Sequence, residues 1–261
     1  MELLGNSWLD YVELAGYLIL PAFLMADLFW HDRLFQTAKF WRGRAAIVSL
    51  VNVYLTGYVA VYLGGVFAGT SLLNLSTLNV FAGAAVGVVV YELAHYWYHR
   101  LAHGWNPLWK LTHQMHHAAE SVDAFGAFYI HPLDSAIFTA WASLVFFPLL
   151  GLSPEAGLVA SVFLTFNAVF QHANIRTPHW LGYIIQRPES HRIHHARGVH
   201  RYNYSDLPLW DMLFGTFKNP QNEGAAKAGF YDFASTRIGE MLFFKDVSKP
   251  KEMKVERAEA A

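Results

Sequence analysis

The stretch from Ala45 to Gly69 contains no charged side chain. A run of that length crosses the hydrocarbon core of a bilayer, where a helix satisfies its own backbone and irregular chain does not. Four more apolar segments, over residues 11–30, 78–98, 134–152 and 155–171, repeat the pattern. Ser153-Pro154-Glu155 between the last two reads as a tight hairpin turn. The expected fold class is therefore all-α: a polytopic membrane helical bundle of about four to five transmembrane helices.

If all five segments cross with the N-terminus outside, residues 31–44, 99–133 and 172–261 lie inside. All 19 Lys and Arg residues fall in those three intervals, as the excess of positive charge on cytoplasmic loops demands. No basic residue precedes Arg33, so the N-terminus does not read as a cleaved signal peptide. The net charge of -1 gives no sign of a nucleic-acid partner. Cysteine is absent, which excludes thiolate zinc sites and cysteine-ligated iron–sulfur clusters. Any metal here takes nitrogen and oxygen ligands.

Histidine is the exception to this greasy composition. His95, His99 and His103 are spaced four apart, and His113/His116/His117 and His191/His194/His195 repeat an HxxHH pattern. Residues three and four apart are neighbours on a helical surface. So many polar groups in an apolar protein are costly unless something binds them, and imidazole is the commonest metal ligand. His99, His103, the two triplets and His172 give nine imidazoles. Two metals with four or five ligands each need roughly that many donors. The charge-derived topology brings all nine to the cytoplasmic side, as a histidine-rich helical cap.

These motifs resemble the fatty acid hydroxylase/sterol desaturase superfamily of integral membrane non-haem di-iron enzymes. The resemblance rests on His99-Arg100-Leu-Ala-His103, His113-Gln-Met-His116-His117, the isolated His172, His191-Arg-Ile-His194-His195, Asn203-Tyr204-Ser205 and Trp210-Asp211-Met-Leu-Phe214-Gly215-Thr216. It covers residues 90–218. Ser205 stands where relatives have glycine, and Arg176 where some have a further histidine. The resemblance implies two iron ions, replaceable by zinc in purified protein, with O2 as co-substrate. It implies hydroxylation or desaturation of a C–H bond in a fatty acyl, sterol or isoprenoid lipid. Electrons would come from an external ferredoxin, cytochrome or flavoprotein reductase, since the chain shows no flavin fingerprint, haem domain or cysteine cluster.

Around the nine expected ligands, His95, His131, His200, Asn203 and Asp211 are candidates for orienting them through hydrogen bonds. Glu92, one turn before His95, is a candidate buried hydrogen-bond partner. Residues 1–247 are expected to form a single membrane domain, 230–247 including a short helix lying on the membrane. Residues 248–261 read as a disordered charged tail. A zinc-dependent membrane hydrolase is the alternative enzyme, but Gln114 and Arg192 stand where an HExxH motif needs glutamate. A metal transporter is the non-enzymatic alternative; it needs ligands near the bilayer midplane, whereas these histidines crowd one end.

Overall fold

In a computed structural model, which describes residues 7–251, the chain runs back and forth between two ends of a helical bundle. Helix α1 spans Trp8–Phe29 and α2 spans Trp41–Val66. Helix α3 (Val80–Gly104) leads into the short α4 (Asn106–Leu108), a π-helical turn (Trp109–His113) and α5 (Gln114–His117). Helix α6 (Pro132–Leu144) continues as a second π-helical turn (Val145–Leu149), and α7 (Pro154–His172) follows it, packed against α1 and α3. Helices α8 (Pro188–His194), α9 (Pro208–Leu213) and α10 (Ile238–Leu242) belong to a cap at one end. Among the described residues the only β pairing is one bridge, Ala196 to Ala228.

Local chemistry sets the helix ends. Ser7 and Asp10 close a capping box on α1, and the Asn79 side chain accepts the Phe81 N–H at the start of α3. Ser153 caps α7, with Pro154 in the first helical position, where its missing N–H costs nothing. Gly104 ends α3, as Gly104 and Pro107 together suggest in sequence.

Four helical stretches are long and apolar enough to cross a membrane: α1, α2, α3 and Pro132–Leu149. On α2, Ile47, Leu50, Tyr54 and Val61 face outward, as lipid-facing residues should. The fifth expected segment, α7, is not among the four. It packs against both α1 and α3 and turns Asn167, Gln171 and His172 inward, so it need not be apolar all round.

The two ends differ in character. At one end the Leu72, Leu73 and Leu75 N–H groups donate to the Pro148, Leu149 and Leu150 carbonyls, locking the α2–α3 loop onto the hairpin. Gly151 turns that hairpin at φ +62°, where an added Cβ would lie 2.6 Å from the Ser71 Cβ. At the other end, Trp41, Met115, Phe125, Tyr129 and Met241 form the core of the cap. Asp27, buried near the end of α1, accepts the Ala124 and Asn174 N–H groups. Buried Arg192 on α8 donates to Asp32 and Asn174.

The segment 230–247 contains a 3-10 turn (Ala234–Thr236) followed by the short α10. Met241 and Val247 are buried in the cap core, and the Val247 N–H donates to Gln114. Phe233, Leu242, Phe243 and Phe244 stay exposed. The expected charged tail is described only to Lys251; its remainder, 252–261, lies outside the described residues.

Candidate metal centre

The nine histidines singled out in sequence come together in two adjoining groups. One holds His99, His103, His113, His117 and His194; the other holds His116, His172, His191 and His195. Within each group the nearest ring nitrogens all lie within 4.8 Å of one another. All are buried except His103, which is partly exposed.

Helix geometry explains the division. Residues i and i+4 differ by about 40° around a helix, whereas i+3 and i+4 differ by about 100°. His113 and His117 therefore share one group while His116 points to the other. The last box does the reverse: His191 and His195 join the second group and His194 crosses to the first. Each HxxHH box thus stitches the two groups together, the rings of His117 and His195 stacking at 4.2 Å.

Hydrogen bonds on the far side of several rings fix their orientation. His99 Nδ1 lies 2.7 Å from the Tyr204 carbonyl, His194 Nδ1 2.7 Å from the Tyr202 carbonyl, and His172 Nδ1 2.7 Å from the Ala168 carbonyl. A carbonyl only accepts, so each Nδ1 carries the proton and each Nε2 presents a lone pair inward. His113 Nδ1 donates to Asp134, whose other oxygen accepts the Tyr98 hydroxyl, both at 2.7 Å. Asp134 went unrecognised in sequence; the available signal was an acid at the mouth of an apolar segment.

The inward nitrogens test whether a metal fits. His99, His103 and His194 Nε2 are buried without any hydrogen-bond partner. In the second group the Nε2 atoms of His116, His172, His191 and His195 follow one another at 3.0 Å per step. Nitrogens each about 2.1 Å from one ion would lie about 3.0–3.4 Å apart, so these spacings match edges of a coordination shell. Burial holds His116, His117, His191, His194 and His195 well below the ordinary imidazole value, and their histidine neighbours push the same way. Neutral imidazoles with converging lone pairs suit a first-row transition metal.

The other expected residues divide. His200 faces His117 across 3.1 Å between Nδ1 atoms, and burial lowers its pKa to about 4. His95 stacks on His99 with ring centres 5.4 Å apart. Asp211 accepts the Tyr204 and Ser205 N–H groups, and so holds the turn whose carbonyl orients His99. Asn203 touches no ligand; it ties Ser190 of α8 to Lys218. His131, which the sequence offers equally as a cap neighbour and as a site member, accepts the Leu133 N–H at Nδ1 as the N-cap of α6, and its ring packs on Phe244. Its residue type and position beside Pro132 serve the helix start, and it joins neither group. Arg176 also stays out of the centre, paired with Asp32 and Glu223.

Fold and site together define a class of helical membrane protein that gathers two adjoining histidine groups at one end of its bundle. The fatty acid hydroxylase family pattern matches residues 84–216, just over half of the chain and every histidine of both groups, and the chain belongs to that family. It is 28% identical to sphinganine C4-monooxygenase 1 of Arabidopsis thaliana over 55% of this chain and 56% of that protein. It is 35% identical to human alkylglycerol monooxygenase over 49% of this chain but only 28% of that protein. Sphinganine C4-monooxygenase 2 of Arabidopsis thaliana aligns at 28% identity over 71% of this chain and 70% of that protein. The match thus spans about half or less of the first two relatives. No solved structure matches the chain.

Proposed function

We propose that this protein is an O2-dependent oxidoreductase that hydroxylates or desaturates a C–H bond of a membrane lipid. The observation that carries the reading is the pair of histidine groups opening onto an apolar cavity of about 490 Å³. His99, His113, His116, His172 and His191 form part of that cavity's wall, together with Phe138 and Phe146. The relatives include monooxygenases named for sphinganine and alkylglycerol, which agrees with a long-chain lipid. The nine histidines would hold two ions, iron in this reading. When bound, the ions supply the reduction of O2 and the removal of hydrogen from carbon.

The chain's own residues bind, orient and exclude water. Tyr202, Tyr204 and Asp134 lock the ligand rings through their Nδ1 atoms, so the site is organised before substrate arrives. Burial of eight of the nine imidazoles keeps bulk water from the oxidising centre. Electrons come from an external carrier protein. His103, the partly exposed ligand, lies against Trp109, giving the first group its nearest approach to the surface. The histidine end and the C-terminus lie on the cytoplasmic side, a placement supported by the distribution of Lys and Arg.

The test is metal and product together. Protein purified from iron-supplemented cells should carry about two irons per chain, and His194→Ala and His116→Ala should each lose metal and activity while still inserting in the membrane. Full activity in either variant would overturn the assignment. A reporter fused to the C-terminus should signal from the cytoplasm; a signal from the opposite side would reverse the topology.

A further inference from the structure

A third polar group lies beside the histidines and is not needed to hold metal. Glu92, His95 and Asp206 are all buried, with ligating atoms within 4.8 Å of one another. Buried carboxylates near a membrane-spanning helix are costly and mark function. Part of their bonding is internal. Glu92 Oε2 accepts the Ser205 hydroxyl at 2.7 Å and the Asp206 N–H at 2.8 Å, and Asp206 Oδ1 accepts the Gln171 amide at 2.7 Å. Ser205, the residue that departs from the family glycine, is therefore built into this group.

The rest of the bonding is unmet. Glu92 Oε1 and His95 Nδ1 are buried with no hydrogen-bond partner. His95 is 8% exposed and Glu92 0%. His95 Nδ1 stands 3.5 Å from Glu92 Oε2 and 4.0 Å from Asp206 Oδ1, too far or too poorly aimed to bond. Such orphaned atoms await a partner.

Their position says what kind. His95, Asp206 and Gln171 form a polar corner of the same apolar cavity, next to the histidines. From there the cavity follows α7 through Ala168, Leu164 and Gly157 to Pro154 at the opposite end. That path is about 27 Å at 1.5 Å per helical residue, the scale of one extended hydrocarbon chain. Asp206 is the carboxylate that lines this corner, with Glu92 buried behind it; it offers an acceptor to a hydroxyl or ammonium, and an ionised carboxylate or phosphate brings no proton to donate to it.

We propose that His95 and Asp206, with Glu92 buried behind them, form a subsite for the hydroxyl or ammonium group of a single-chain lipid, whose tail runs along α7 away from the histidines. Given the oxygenase reading above, on which this part rests, the carbon oxidised lies close to that polar end and not at the chain terminus.

Binding tests the subsite without turnover. Radiolabelled octadecanol, octadecylamine, octadecane and stearate are titrated onto the full chain in phosphatidylcholine nanodiscs, with and without metal. The alcohol or the amine should bind at least tenfold more tightly than octadecane or stearate. Asp206→Asn should erase most of that preference while leaving octadecane binding and metal content unchanged. A larger loss for the amine than for the alcohol in this variant identifies an ammonium ligand; equal losses identify a hydroxyl. Gln171→Leu, which removes the amide that orients Asp206, should weaken the same probes and serves if Asp206→Asn does not fold. Equal binding of all four probes, or undiminished preference in both variants, would overturn the proposal. So would a third metal equivalent bound by the parent protein and lost in Asp206→Asn. Selective binding without any lipid oxidation would instead leave the subsite standing and remove the oxygenase reading.

Discussion

At the scale of single residues, the nine candidate ligands were legible because their i, i+3, i+4 spacing repeats in a chain that is 54% hydrophobic. Asp134 was not. Its partner His113 lies 21 positions away, and no periodicity links them. Its contribution is measurable: Asp134→Asn removes the carboxylate that fixes the His113 tautomer, and partners of this kind are worth about 10–100-fold in metal affinity. A metal titration of the variant should show a loss in that range, and Tyr98→Phe, which leaves the Asp134–His113 bond in place, a smaller one. For His131 the sequence left two roles open, a cap neighbour or a site member, and its ring nitrogen accepts the Leu133 N–H as a helix cap.

Among the elements, the π-helical turn Trp109–His113 sets the register of the first HxxHH box. π-helical turns interrupt helices most often at functional sites. Inserting one alanine after Leu111, beyond the extra residue that the π turn already absorbs, should rotate the triplet by about 100° relative to Trp109. His113 and His117 would then no longer face His99 and His103. The expected outcome is loss of metal from the first group with membrane insertion intact, read by metal analysis of purified protein. A variant that kept its full metal content would show that register to be dispensable. The segment after the last box carries a related device: His200, Tyr202 and Asn203 all hold positive φ, at 41°, 71° and 51°. Backbone of this kind is strained in residues other than glycine, and here it aims the Tyr202 carbonyl at His194. Neither feature has a signature in local propensity, so neither could be anticipated.

For the whole molecule, clustering the imidazoles makes stability depend on pH. Burial lowers the pKa of His116, His117, His191, His194 and His195, so the folded state binds fewer protons than the unfolded one. Stability then rises with pH. This contribution is complete above the unfolded imidazole value of about 6.5 and is lost as pH falls toward the lowered folded values. Metal-free protein should unfold at a lower temperature at pH 5.5 than at pH 7.5 in a thermal melt, and an unchanged midpoint would show that the clusters are not held neutral. The sequence by itself determined the helical class, four of the five apolar segments it offered for crossing, and the residue types at the centre. Apolar length and histidine spacing are local properties, and they survive in a one-dimensional reading. Only the tertiary structure decided which histidine joins which group, that Asp134 and three backbone carbonyls orient them, and that His95 and Asp206 meet at the head of one cavity. Those relations join α3, α6, α7 and the chain after α8, and distance across a packed bundle is not written in sequence separation.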